Sequence, residues 1–347
     1  MPNLAAVILA AGQGTRMQSK IPKILHEIGG RPMVSHVFDS AVAVANQPPI
    51  LIVTPGDETI RTLLGEGARY VDQPEQLGTG HATMMAEPVL RGKTDQVLVT
   101  YADMPLLRAT TMRQMANCQA ETNAAVVILT VSGDSKSTFG RVVRDVEGRV
   151  VEIIEVAQAK QHPNGEKILA ITELNVGVYC FASGWLWENL HHLPIRKARS
   201  GPEYYLTDMI ELAVSQNQTV EVLTVKDTDE CLGAGTHSEL ITVDRALRRR
   251  INQGWLNNGV TITEPDSTFI DVSVTIGQDS IIRPNSYLEG ETNIGQNCVV
   301  GPNATIRDAI IGGNCHIEQS VLENCTIRSG TQIAPFTHLK DSTTGSE

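Results

Sequence analysis

The 347-residue sequence predicts two folds in series: an α/β domain with a mainly parallel sheet, then a short left-handed parallel β-helix of hexapeptide repeats. The first rests on short apolar strands that alternate with helix-length segments from Leu4 to about Val225. The second rests on aliphatic residues that recur every six positions from Ile276 to Ile306 and then continue with occasional steps of five, a period foreign to both α-helices and ordinary strands. A Gly-rich turn directly after the first strand, Gly12-Gln13-Gly14, adds a place where backbone N–H groups stand uncovered by side chains.

Taken in order, the strands are expected at 5–9, 50–54, 97–101, 125–131, 176–181 and 219–225. Amphipathic helices are expected within 33–45, 81–90, 110–121 and 204–216. Ligands of open α/β sheets bind beyond the carboxyl ends of strands, which is where the loop after Leu9 and the segment after Tyr101 fall. Residues 237–257 read as a linking helix ended by Gly259. Its cations Arg245 and Arg248-Arg249-Arg250 suit a solvated face or subunit contact, with anion binding as the alternative. Beyond it, Ile276, Ile282, Leu288, Ile294, Val300, Ile306, Ile311, Ile317, Leu322, Ile327, Ile333 and Leu339 are the inward positions. At three per coil they make about four coils. The expected division is therefore 1–236, a linker at 237–258, the β-helix at 259–340 and an unpacked polar tail at 341–347.

Composition narrows the function classes. Apolar residues make up 41% but aromatics only 4%, so the cores must be aliphatic. A net charge of −11 argues against nucleic acid as partner, while leaving room for a small polyanion in a locally basic pocket. No stretch approaches the roughly 18 apolar residues of a membrane span. No charged-then-apolar leader opens the chain, and the six cysteines contain no CxxC pair. These features read as a cytoplasmic protein with free thiols and no membrane partner. His191-His192 reads as a helix end and not a metal site.

Several motifs follow one another: Leu9-Ala10-Ala11-Gly12-Gln13-Gly14-Thr15-Arg16-Met17, then Ile21-Pro22-Lys23-Ile24-Leu25, Gln73 through Ala82, and Tyr101 through Leu106. Phe139-Gly140-Arg141, Glu203 through Asp208, and Gly259-Val260 ahead of the hexapeptides complete the series. In this order they resemble the nucleotide-sugar pyrophosphorylases. More narrowly, they are similar to the bacterial bifunctional N-acetylglucosamine-1-phosphate uridylyltransferase/glucosamine-1-phosphate acetyltransferase family. The resemblance implies a Rossmann-like, GT-A-like nucleotidyltransferase domain that joins UTP and N-acetylglucosamine 1-phosphate, releasing pyrophosphate. It further implies Mg²⁺ as cofactor and a homotrimer assembled through the β-helix.

The resemblance places Leu9, Ala10, Ala11, Gly12, Gly14 and Thr15 around the nucleotide, with N–H groups of 10–14 on the triphosphate. Arg16 and Lys23 become the catalytic cations, neutralising charge on the departing and attacking phosphates. Gln73 offers a donor and an acceptor to the uracil edge, and Gly78 and Thr79 approach the base. Tyr101 and Ala102 lead to Asp103, whose carboxylate is the Mg²⁺ ligand. Gly140, Glu155 and Asn175 match the sugar-contacting positions. Lys20 reads as a solvated residue, and His81 as packing or capping its helix.

The chain departs from the family pattern at several of these places. Ala102 replaces a usual glycine, Glu155-Val156-Ala157-Gln158 lacks the lysine usual shortly after this glutamate, and Val176 replaces a usual threonine. Gly235 stands where the family has an asparagine, its second metal ligand, so a higher magnesium requirement is expected. The coils that supply the family's acetyltransferase site have no counterpart, and that activity is expected to be absent. Alternative readings keep the fold with another hexose 1-phosphate (glucose 1-phosphate with UTP or dTTP), or make the chain a non-catalytic regulatory subunit.

Overall fold

A computed structural model describes residues 2–134, 138–198 and 201–345; the last two residues of the expected tail, Ser346 and Glu347, lie outside them. Met1–Leu25 with Met33–Thr236 form one compact unit, and His26–Pro32 with His237–Glu347 form the other.

The first unit is built on one mixed sheet. Its strands are β1 (Leu4–Leu9), β2 (Ile50–Val53), β3 (Arg69–Asp72), β4 (Gln96–Tyr101), β5 (Val126–Ser132), β6 (Gly140–Arg144), β7 (Val150–Ile154), β8 (Glu173–Ala182) and β9 (Val220–Val225). Their order is β9-β5-β8-β4-β1-β2-β3, with β6 and β7 hung on β8. The pairs β1–β2, β1–β4, β2–β3 and β5–β9 are parallel, whereas β8 runs antiparallel between β4 and β5. Apolar runs reveal a strand but not its direction, so only the fold identified β8 as reversed. The strands β3 (RYVD) and β6 (GRVVR) carry charged residues at or near their ends and escape a reading based on apolar runs, whereas β7 is apolar at four of its five positions and is not among the expected strands.

Strand alternation sorts β1 cleanly. Ala5, Val7 and Leu9 join the core that holds Trp187, Phe181 and Met209, while Ala6 and Ile8 join Val34 and Val37 on the opposite face. The helices α1 (Met33–Val42), α2 (Glu58–Leu64), α3 (Gly78–Met84), α4 (Ala109–Thr122) and α5 (Asp208–Ser215) cover the sheet. The helix expected over 81–90 is divided: α3 stops at Met84, and a single turn, Glu87–Leu90, resumes around Pro88, which has no N–H to donate. The helix expected from 204 begins only at Asp208, because Gly201–Tyr204 pairs with Ile195–Ala198 as a hairpin.

The second unit joins α6 (His237–Asn257) to the left-handed β-helix. Each of three faces carries five parallel strands, one coil more than the sequence periodicity suggests. The strands at Ile262 and Ile270, ahead of Ile276, and Thr343–Thr344 at the other end make the difference. The tail also departs from expectation: Thr343–Thr344 pairs in parallel with Thr326–Ile327 and closes the third face. All twelve expected aliphatic positions lie in the β-helix core or pack against it. Asn285, Asn297, Asn303 and Asn314 turn the corners with positive φ, a conformation asparagine tolerates best among residues with a Cβ.

The segment His26–Pro32 was expected within the first 236 residues but groups with the second unit. Its hairpin turns at Gly29-Gly30, where Gly29 N–H donates to Asp244 Oδ1 (2.9 Å) and Val272 N–H donates to Gly29 O (3.0 Å). Those partners are more than two hundred residues away, so no local pattern could signal them. On α6, Arg248 is engaged structurally: it pairs with Asp244 at 2.8 Å and stacks 5.0 Å from the centre of the Phe269 ring. No helix among the described residues is long and apolar enough to cross a membrane.

Candidate active site

A cavity of about 360 Å³ opens at the carboxyl ends of β1 and β4, a size typical of small-molecule sites. Twelve of the sequence-predicted residues line it: Leu9, Ala10, Ala11, Gly12, Gly14, Thr15, Lys23, Gln73, Gly78, Thr79, Tyr101 and Asp103. They come from four stretches of chain, which the parallel core brings to one edge of the sheet.

The loop after β1 is fixed at its base. Ala10 N–H donates to Ile52 O (2.8 Å), and Ala102 N–H donates to Leu9 O (3.1 Å). The amide of Ala10 is thus consumed by the sheet, which corrects the expectation that donors for phosphate begin there. The next four amides, Ala11 to Gly14, donate to no described residue. Gly14 has φ +60, and a Cβ on it would come within 2.6 Å of Lys23 Cβ. That close approach seats Lys23 against the loop, with its ammonium 2.5 Å from Asp103 Oδ2. Both side chains are largely shielded, at 16% and 22% exposure.

On the opposite wall, Gln73 is buried, and its Nε2 sits 3.4 Å from Gly78 O and 3.1 Å from His81 Nδ1. Gly78, at φ +91, would bring a Cβ to 2.7 Å from Tyr204 O, so only glycine allows α3 to start this close to the 201–204 strand. Sequence reasoning missed four wall residues: Gln76, Ile24, Ala82 and Glu203. All four fall within the motifs but were not singled out; Gln76 Nε2 donates to Ala11 O at 2.7 Å, tying α3's approach to the glycine loop.

Tyr101 divides this cavity from a second cluster. Its ring packs on Gly177 at a bulge in β8 between Asn175 and Tyr179, where a Cβ would stand 2.7 Å from the ring. Burial raises the phenol's pKa, the Glu155 and Asp103 carboxylates add to the rise, and the Thr79 hydroxyl opposes it. Beyond Tyr101 lie Gly140, Glu155 and Asn175, which the fold assembles but does not place on the cavity wall. Asn175 pairs in register with Gly140, and a Cβ on Gly140 would meet Glu155 Oε1 at 3.3 Å. Burial raises the Glu155 carboxyl, with a contribution from Asp208. The amide of Asn175 is occupied within β8, donating to Tyr179 Oη (2.8 Å) and accepting from Gly177 N–H (3.1 Å). Through these two bonds the side chain holds the bulge.

Two further cations lie off the wall of this cavity. Arg16 is exposed on the single turn Thr15–Met17 and does not line the cavity. Lys20 is exposed, as expected, and borders a neighbouring cavity of about 440 Å³ that shares Gly12, Gly14 and Lys23 with the first. Ala102 is buried beneath the site and off its wall.

Asp103 is also the group a hard divalent cation would use. The described residues contain no cluster of three or more His, Cys, Asp or Glu side chains suited to a metal. With Oδ2 paired to Lys23, this single carboxylate still fits Mg²⁺, which takes one or two protein oxygens and completes its shell with phosphate and water. Ala234 N–H donates to Asp103 O (3.2 Å), so the loop carrying buried Gly235 lies beside this carboxylate's backbone.

Comparison with known proteins agrees with this architecture. The family described as MobA-like NTP transferase domain matches residues 6–201, and the bacterial transferase hexapeptide family matches residues 273–308. A protein of Enterococcus faecalis named bifunctional protein GlmU is 37% identical over 340 residues, covering 98% of this chain and 73% of its own length. Proteins of the same name from a Geobacillus species and from Pelobacter propionicus are 39% and 37% identical, covering 97% and 99% of this chain and 72% and 74% of their own.

Proposed function

This chain belongs to the bifunctional GlmU family and is an enzyme of the nucleotidyltransferase class, and on that premise we propose that it transfers uridylyl from UTP to N-acetylglucosamine 1-phosphate. The observation that carries the reading is the convergence, on one cavity, of four uncommitted backbone amides, the Lys23–Asp103 pair and the buried amide of Gln73.

In the reaction, an oxygen of the sugar phosphate attacks the α-phosphorus of UTP in line. A new phosphorus–oxygen bond forms as the bond to the β-phosphate oxygen breaks, and pyrophosphate departs with the electron pair. Two anions must approach, so positioning and neutralisation dominate the barrier. The amides of Ala11 to Gly14 hold phosphate oxygens without any side chain needing to reorganise. Lys23, seated by Gly14, brings its charge to the α-phosphate and the incoming phosphate. Arg16, on the adjoining turn, meets the departing pyrophosphate. Gln73, Gly78 and Thr79 hold the base, and Gly140 and Glu155 stand on the sugar side. Asp103 would hold Mg²⁺, which would supply Lewis-acid neutralisation of phosphate charge. The hexapeptide unit assembles the chain as a homotrimer, for which light scattering should give three times the chain mass.

The decisive assay incubates the purified chain with UTP, Mg²⁺ and a panel of hexose 1-phosphates, then quantifies nucleotide-sugar products. UDP-N-acetylglucosamine as the main product is expected. A different sugar nucleotide would reassign the substrate, and no product with any sugar would favour a non-catalytic role.

A further inference from the structure

We infer that His81 is a positioning residue that sets the enzyme's choice of base by locking the orientation of the Gln73 amide. The inference rests on the uridylyltransferase reading and deepens it.

An amide side chain has one donor end and one acceptor end, and rotating it by half a turn exchanges them. Gln73 therefore recognises uracil or cytosine equally well unless something holds it. In the structure, one end of the amide lies between two partners: Gly78 O at 3.4 Å and His81 Nδ1 at 3.1 Å. A carbonyl oxygen only accepts, so the end facing it is the NH₂ group. His81 Nδ1 must then accept as well, which puts the imidazole proton on Nε2. With both partners acceptors, the flipped amide would set oxygen against oxygen and against a ring-nitrogen lone pair.

His81 is itself held in place. It lies on α3, and its ring stacks on Tyr204, with centroids 6.4 Å apart and planes 25° from parallel. Two hydrogen bonds tie that strand to the start of α3: Tyr204 N–H to Leu77 O (2.8 Å) and Leu206 N–H to Thr79 Oγ1 (3.0 Å). The orientation is thus set by backbone packing and not by the ligand.

The consequence is chemical. Gln73 lines the cavity, and no described residue donates to its Oε1, so the end left for a ligand is an acceptor. Uracil and thymine present an N3–H donor to an acceptor. Cytosine presents an N3 lone pair, which Oε1 repels. The site therefore accepts UTP and dTTP at this contact and excludes CTP, a discrimination built from repulsion as much as attraction.

The test compares kcat/KM for UTP and CTP, with N-acetylglucosamine 1-phosphate as acceptor, in wild type and three variants. His81→Phe keeps the ring against Tyr204 but removes the acceptor. His81→Asn restores an acceptor near the Nδ1 position. His81→Leu repeats the acceptor loss should the Phe variant fail to fold. In H81F or H81L the UTP-over-CTP ratio should fall by about 10-fold or more, mainly through KM, and H81N should hold it within about 3-fold of wild type. A ratio unchanged within about twofold in an acceptor-less variant that still turns over UTP would overturn the inference. If wild type turns over no nucleotide, the uridylyltransferase reading fails instead, and the UTP-to-CTP binding ratio by calorimetry decides the role of His81.

Discussion

The Lys23 ammonium and Asp103 Oδ2 meet at 2.5 Å, closing an ion pair across 80 residues of chain on the wall of the phosphate cavity. The pair joins the glycine loop to the end of β4, so one contact sets both the charge proposed for the attacking phosphate and the carboxylate proposed for Mg²⁺. Removing either partner is expected to lower kcat/KM by about 10²–10³-fold, the range found when a single charge-stabilising group is lost. The double variant should cost little more than the worse single one, because both act on the same phosphorus. Steady-state kinetics of K23A, D103N and the double variant check this.

Gly14→Ala should act through Lys23. The substitution forces a Cβ to 2.6 Å from Lys23 Cβ at a φ of +60. The strain is about 1–2 kcal/mol, and Lys23 must shift away from Asp103. Activity should fall at least about 10-fold while the protein stays folded, which paired thermal-melting and kinetic measurements would establish.

Arg16→Ala should separate chemistry from stability more sharply still. The residue is exposed on a single turn, so the melting temperature should be unchanged. Turnover should drop by roughly 10³-fold if the arginine meets the departing pyrophosphate. Wild-type turnover in R16A would remove it from the mechanism.

Glu155 predicts a pH dependence of stability with a definite sign. Its folded pKa is raised, chiefly by burial, so the folded state holds the proton more tightly than the unfolded chain. Stability is then fullest below the ordinary glutamate value and declines as pH rises through the raised folded value. Glu155→Gln should flatten the decline over that window and stabilise the protein at neutral pH. Chemical denaturation of both proteins across the range would reveal an opposite slope if the assignment is wrong.

Gly235→Asn tests the magnesium expectation. The loop holding Gly235 is hydrogen-bonded to the backbone of Asp103, and glycine supplies no side-chain oxygen. The variant should reach half-maximal rate at lower Mg²⁺. An unchanged requirement would mean that water or a neighbouring group already fills that position.

Local pattern determined a good deal of this molecule. The period of six with steps of five placed twelve aliphatic residues at the β-helix core, and the small-residue turn after Leu9 marked a loop that lines the cavity, because both are properties of neighbours in sequence. Strand direction, the fifth coil, the membership of His26–Pro32 and the occupied amide of Asn175 depend on partners tens to hundreds of residues away. The same holds for His81, whose significance rests on an acceptor lone pair 3.1 Å from Gln73 that a spacing of eight residues does not disclose. Periodicity records which face a residue turns to the core; which polar atoms then meet is settled only when distant segments pack.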